Sequence, residues 1–505
     1  MVSIRAGVRQ VVHVHDKPLS EGKRTWLAGV GVLCALALLL AAHAGVLWLL
    51  AAAILCGFTI WQPWAGLLAL PYAVAFGSLS SLQLSSVHVG PTDALVGSLA
   101  LAAIARMGQR LTNDRGRGAL ADARGAAMRL WRARRFHCVV ALSLLAYLAV
   151  VCVSALVATQ RTATAKEALK WSEVFIVAAC TVWLVVCLRR MRLLVWVMIG
   201  AALLEALVGL GQWAADGGDL ATGGQIRIVG TFAQPNPYAA YLNLALPIAL
   251  ALVLFSRDRR QQCVAGAASV LLIGAEYLAH SRGAMLGLAA AMFVLVVLGL
   301  RRERLALVLA AALAPLIALA WLAGAIPARL VSAITRQFHV AGTTVCGRVD
   351  ASDFSTVERI AHWVAGLRMF AAHPILGVGA GNYAAAYPRF ACADWPEALG
   401  HAHNYYINTA AELGVIGLVA FLALVACVLH LGWRASHRVA LDAKLGGNPG
   451  GAETRRLFAI ALLAALIGVA VHNLTDDLFV HAMELQMALC VGCLLRLDGL
   501  LQRDR

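Results

Sequence analysis

His403-Asn404, followed after nine intervening residues by Gly414-Val415-Ile416-Gly417, puts a titratable imidazole at the start of a long apolar run. Tyr405 to His430 is long enough to cross a bilayer and carries one formal charge, Glu412, in its first turns, so His403 falls where that helix meets water. An imidazole there can exchange a proton near neutral pH; the plainer alternative is an interfacial histidine that only snorkels. Three other polar features reach the same membrane level if each intervening run crosses once: Asn236 with Gln234, Arg282 within Ser281-Arg282-Gly283, and Arg359. Two guanidinium forks beside a histidine suit a diphosphate-bearing substrate, because arginine binds phosphate oxygens bidentately and keeps its charge. The histidine could then take the proton of an attacking hydroxyl. An anchored tight turn for Arg282 and a solvated helix face for Arg359 are the plain alternatives.

Membrane helices must hold these residues. Of 505 residues, 61% are hydrophobic and 13% charged, with mean hydropathy +0.77, whereas a soluble domain has an apolar share below about 50%. Apolar runs recur from Trp26 to the C-terminus, the eleventh near 305–325, and predict an all-α polytopic protein of about 12–14 transmembrane helices. The net charge of +16 does not point to nucleic acid. Its arginines stand in short segments between apolar runs, as at Arg189-Arg190-Met191-Arg192 and Arg301-Arg302-Glu303-Arg304, and these segments fall on one side if every run crosses once. That side is expected to be the cytoplasm, with both termini in it. The first apolar run has no small-residue cleavage site, so the first helix is expected to be its own anchor. The chain divides into a cytoplasmic tail 1–25, a helical bundle 26–325, a large periplasmic loop 326–402 and C-terminal helices 403–505.

In the long loop Ser355-Thr356-Val357-Glu358 reads as a capping box. The helix it opens carries Ile360, Trp363, Val364 and Leu367 on one face, with Met369 opposite, and so reads as amphipathic and lying along the membrane surface. His373-Pro374 ends it, and Gly377 to Tyr383 then forms a turn whose backbone N–H groups could approach an anion. That turn lacks the third glycine and the preceding strand of a dinucleotide fingerprint. Ten of the 12 cysteines lie in or at the apolar runs. Cys346 and Cys392 alone fall in the outer loop, where a disulfide is expected. His472, Asn473, Asp476, Asp477 and His481 could bind a divalent metal through their i, i+4 pairs, although local hydrogen bonding is the more ordinary use of such a run. Glu205 and Glu276 fall inside spans, where pairing, protonation or a proton relay would account for them.

Gly230-Thr231-Phe232-Ala233-Gln234-Pro235-Asn236, Ser281-Arg282-Gly283, Glu358-Arg359 with Trp363, His373-Pro374-Ile375-Leu376-Gly377-Val378-Gly379, and His403-Asn404 with Gly414 and Gly417 occur in this order. Over roughly 200–430 the chain thereby resembles the O-antigen ligase and polymerase superfamily, which includes bacterial protein O-oligosaccharyltransferases. The resemblance implies a membrane glycosyltransferase that takes a glycan from undecaprenyl diphosphate at the periplasmic face of the inner membrane, with no cofactor and no metal. It implies that His403 activates the acceptor hydroxyl and that Arg282 and Arg359 hold the diphosphate, with Asn236 and Asn404 in support; Arg227, Arg336, Arg348 or Arg368 could stand in for either arginine. The acceptor would be lipid A–core, a growing glycan, or a protein Ser or Thr. A transporter of lipid-linked glycan is the reading from another class, and it predicts an internal two-fold repeat that the sequence does not show.

Overall fold

The computed structural model describes residues 21–42, 45–84, 87–114, 123–216, 219–220, 226–299, 354–444 and 449–501. The apolar runs become helices: α1 (Glu21–Ala41), α2 (Val46–Trp61), α3 (Pro63–Phe76), α4 (Pro91–Asp114), α5 (Ala123–Val153), α6 (Arg161–Leu184), α7 (Leu188–Asp216), α8 (Pro235–Phe255), α9 (Arg259–Ala279) and α10 (Arg282–Gly299). Then come α11 (Phe354–Ala372), α12 (Tyr405–Lys444), α13 (Pro449–His472) and α14 (Met483–Leu501). The fold is all-α and polytopic, with two small antiparallel ribbons, β1 (Leu82–Leu84) with β2 (Val87–Val89) and β3 (Asp219–Leu220) with β4 (Ile226–Arg227). Among the described residues, seven segments from α5, α7, α8, α9, α10, α12 and α13 are long and apolar enough to cross a membrane, and α1 to α3 are shorter apolar helices. The run near 305–325, Arg336, Arg348 and Cys346 lie outside the described residues.

Helix starts follow local chemistry. Proline opens α3, α4, α8 and α13, where its missing N–H costs no hydrogen bond. Asp258 caps α9 by accepting from the Arg260 N–H at 2.9 Å. At the other end of α9, His280 turns left-handed at φ 48°, and α10 begins two residues later. This tight turn leaves Arg282 at the first position of α10.

Two close approaches then position the site. On α10, a Cβ at Gly287 would lie 2.6 Å from the Gly468 carbonyl oxygen of α13, so the two backbones touch as only small residues allow. One turn earlier Gly283 packs against His472, bringing the start of α10 to the end of α13. The second approach is a break in α12, where Gly414 adopts φ 64°. In an unbroken helix the Val415 N–H would bond the Ala411 carbonyl. Instead Val415 donates to the Pro374 carbonyl at 2.8 Å, and the Ala411 carbonyl accepts from Val378 at 3.0 Å.

α11 docks on α12. It starts at Phe354, one residue before the expected cap at Ser355. Its buried face is Val357, Ala361, Ala365 and Met369, whereas Leu367 is 51% exposed. The expected surface helix is therefore turned: the side with the smaller residues packs, because close approach to α12 favours shape over hydropathy.

At the end of the bundle opposite His403, arginines meet helix-terminal carbonyls. Arg190 donates to the Leu184 carbonyl, Arg496 to that of Val186 and Arg456 to that of Leu298. Arg257 pairs with Glu453. These bonds satisfy acceptors that helix ends leave open.

Candidate active site

Asn404 sits immediately before α12 and caps it. Its Oδ1 accepts from the N–H groups of Tyr406 at 3.0 Å and Ile407 at 3.1 Å, and its Nδ2 donates to the Leu474 carbonyl at 2.8 Å. The support expected of Asn404 is thus a helix cap tied to the turn between α13 and α14. His403, the preceding residue, is held at φ 49°, a costly conformation for a non-glycine residue that its surroundings must enforce. They do so at three points: the Trp363 Nε1–H of α11 donates to the His403 carbonyl at 3.1 Å, the His403 N–H donates to His401 Nδ1 at 3.1 Å, and His403 Nδ1 meets Asp476 Oδ1 at 3.2 Å. His403 Nε2 is buried and makes no hydrogen bond to any described residue.

Asp476 is the hub. Besides His403, its Oδ1 accepts from the Asp477 N–H at 2.9 Å and its Oδ2 from Asn236 Nδ2 at 2.7 Å. Burial pushes the Asp476 carboxyl up, but the His403 hydrogen bond and the positive charges of His403, Arg359 and His401 outweigh it and hold the group well below the usual carboxylate range. A carboxylate on Nδ1 fixes the tautomer with its lone pair on Nε2 and stabilises the imidazolium that proton uptake would create.

Asn236 also accepts from Arg227 Nη2 at 3.2 Å, and Arg227 Nε donates to the Ala279 carbonyl at 2.9 Å. Arg227 is pushed down to about 10, by burial first and then by the charges of Arg359 and Arg282, with Asp476 opposing. The two sequence-predicted arginines and Arg227 are therefore close enough to act on one another beside Asp476. Arg368 is directed elsewhere, donating to the Phe390 carbonyl at 3.0 Å. The run Gly230 to Asn236 is held from α7: Glu205 accepts from the Thr231 N–H at 2.7 Å and Gln212 from the Gly230 N–H at 2.9 Å. Glu276 accepts from Asn243 at 3.1 Å. Both intramembrane glutamates are thus hydrogen-bonded.

Two histidines flank His403. The His401 ring lies 4.5 Å and the His362 ring 5.5 Å from it. Burial lowers His401, and the charges of His403 and Arg359 add to this against the pull of Asp477 and Asp476. His362 is pushed down to about 4 by burial and by the charges of His403 and His401. The Tyr383 hydroxyl donates to the His362 carbonyl at 2.8 Å and so accepts from His362 Nδ1 at 3.2 Å.

Sequence reasoning missed the Asp476–His403 pair. The run His472 to His481 was visible, but α13 ends at His472, so its i, i+4 spacings do not share a helix face. His472 packs on Gly283, His481 stands edge-on to Phe232, and Asp477 accepts from the Phe479 N–H. A different set, His401, His403 and Asp476, brings one potential ligand atom each within 4.8 Å; the neighbouring guanidinium charges oppose a cation there. The N–H groups of the glycine turn are taken up within the chain by the Glu412 carboxyl of α12, which accepts from Gly381 at 2.9 Å and Tyr383 at 3.0 Å. Cys392 is disulfide-bonded; the expected bridge to Cys346 lies outside the described residues.

Residues 267–422 match the family model described as O-Antigen ligase. Over that segment, less than a third of the chain, it is similar to the O-antigen ligase family. No curated protein matches it. In this O-antigen ligase-like protein the matched segment carries Arg282, Arg359, His403 and Asn404, while Asp476, Asn236 and Arg227, which complete the site, lie outside it. The seven described segments long and apolar enough to cross a membrane, and the likeness to O-antigen ligases over that segment, agree with a multi-pass membrane protein.

Proposed function

We propose that the protein transfers a glycan from undecaprenyl diphosphate to an acceptor hydroxyl at the periplasmic face of the inner membrane, as an O-antigen ligase or a polysaccharide polymerase. In the reaction His403 Nε2 takes the acceptor proton, the freed oxygen bonds the anomeric carbon, and the bond from that carbon to the diphosphate oxygen breaks. Asp476 stabilises the imidazolium through Nδ1. Arg282 and Arg359 hold the departing diphosphate, whose negative charge grows as the bond lengthens. The donor is already activated, so placing the hydroxyl and accepting its proton are the remaining tasks. On this reading the loop 326–402 and the start of α12 face the periplasm and the arginine-rich end faces the cytoplasm, in accord with the charge bias.

The observation that carries the proposal is the His403 ring, fixed on one nitrogen by a buried carboxylate and, among the described residues, without a hydrogen bond on the other, beside guanidinium charges. His403→Ala should abolish transfer of lipid-linked glycan in membranes that still contain the protein, a loss of about 10²–10⁴-fold. Wild-type product levels from that variant would remove His403 from the reaction.

A further inference from the structure

α11 reaches His403 with two neighbouring residues. The Trp363 Nε1–H donates to the His403 carbonyl at 3.1 Å, and the His362 ring lies 5.5 Å from the His403 ring. Glu358 stands four residues before His362, one turn away on the same side of the helix. α11 begins at Phe354, so Glu358 is its fifth residue and lies past the first four N–H groups, which alone need acceptors from outside the helix. Its carboxyl is thus not required as a cap. It makes no hydrogen bond or ion pair with any described residue, although the residue is half-buried, and its oxygens are not sealed inside the protein.

The surroundings of this carboxyl are those of the active site. Burial raises it, the charges of His403 and Arg359 pull it down, and Glu397, exposed on the chain after α11, pushes it up. The net direction is upward, as for a carboxyl without the donors that ordinarily hold one down. Successive helix positions point about 100° apart, and Glu358 and Arg359 divide accordingly. The Arg359 charge bears on Arg227 and Asp476, whereas the Glu358 charge bears on Tyr387 and meets Glu397. α11 therefore presents a guanidinium to one side of His403 and a carboxyl to the other. A diphosphate is drawn to the first side and repelled by the second. An ionised carboxyl can only accept hydrogen bonds, and the groups that donate to it beside a proton-accepting histidine are hydroxyls.

We infer that Glu358 is a binding residue for the acceptor: its carboxylate accepts a hydrogen bond from a second hydroxyl of the acceptor and so holds the reacting hydroxyl at His403 Nε2. The inference rests on the glycan-transfer reading above and deepens it, by assigning a residue to the acceptor side of the same site.

Initial rates in proteoliposomes test it. The donor is lipid-linked glycan, the acceptor is lipid A–core or a second lipid-linked glycan, and undecaprenyl diphosphate serves as a product inhibitor that reads the donor side alone. Glu358→Gln keeps the shape and loses the charge; Glu358→Asp keeps the charge and withdraws it by one methylene. Both variants should raise KM for the acceptor about tenfold, as loss of a charge-assisted hydrogen bond does, and leave KM for the donor and Ki for undecaprenyl diphosphate within about twofold of wild type. Unchanged acceptor KM in both variants would overturn the assignment. So would an equal shift in donor KM and Ki, which would make Glu358 a counter-charge for Arg359; that role also requires Glu358→Asp to behave as wild type. Wild-type transfer with unaltered acceptor KM in the variants sinks this inference alone. A wild-type protein that transfers glycan to neither acceptor sinks the transfer reading and this inference with it.

Discussion

Replacing Asp476 by asparagine changes one atom and tests the whole arrangement around His403. The carboxylate accepts from His403, Asn236 and the Asp477 N–H, and it is buried to 5% exposure. An amide has one oxygen and one NH₂ group. If its NH₂ faces His403, Nδ1 must become the acceptor and the proton moves to Nε2, where a base is needed. If its NH₂ faces Asn236, two donors oppose each other. The electrostatic loss is bounded by the pair itself: at 3.2 Å and an effective dielectric constant of about 20, opposite unit charges attract by about 5 kcal/mol. The value is a ceiling, because the His403 side chain keeps 16% exposure and water screens part of the charge. Half of the ceiling or more, at about 1.36 kcal/mol per decade, removes about 10²–10⁴ in rate. Initial rates of glycan transfer in proteoliposomes, normalised to folded protein, measure this. On a His403→Ala background the same change should cost nothing further, since the two residues act as a unit. Activity of Asp476→Asn within about threefold of wild type, or an equal loss on both backgrounds, would refute the coupling.

Arg282→Lys and Arg359→Lys keep charge but lose the fork, so each should lower kcat/KM for the lipid-linked donor about tenfold or more; full activity in both would reduce them to orientation charges. His362 titrates near 6.5 in the unfolded chain and at about 4 in the folded protein, so protonation favours unfolding. Its contribution is intact above about pH 7.5, declines as pH falls through 6.5, costs about 1.4 kcal/mol by pH 5.5 and levels off below about 4. Thermal midpoints at pH 7.5 and 5.5 should show that this part of the acid sensitivity disappears in His362→Phe, and an unchanged pH dependence would contradict it. Cys392 should pair with Cys346, closing a loop of about 45 residues for about 3–4 kcal/mol. Mass spectrometry of the alkylated, non-reduced protein would find both thiols modified if that pairing is wrong.

What the sequence revealed and what it hid divide along a physical line. Helices written as apolar runs were readable because span length is a local property. His403 was readable too, as an ionisable group at a water boundary. The Asp476 partner was not, because pairing across the ends of two helices leaves no periodic trace. The facing of α11 was misjudged because Ala361 and Ala365 score weakly as hydrophobic residues yet are fully buried, Ala361 in a cluster with Cys392 and Trp395 and Ala365 in one with Tyr383 and Ala411. The glycine turn was readable as a set of backbone donors, but nothing local indicated that the Glu412 carboxyl would take them up.

The break at Gly414 ties α11 and α12 into one unit. The backbone after α11 is spliced into α12 at the break, and the Trp363–His403 bond ties the same two elements a second time. Arg359 and His403 therefore hang from one joint and behave as a preassembled cassette, with their mutual spacing independent of how much chain precedes Phe354. A single methyl group at position 414, 2.3 Å from the Ile375 carbonyl, would instead unhook the cassette and leave the bundle around it in place.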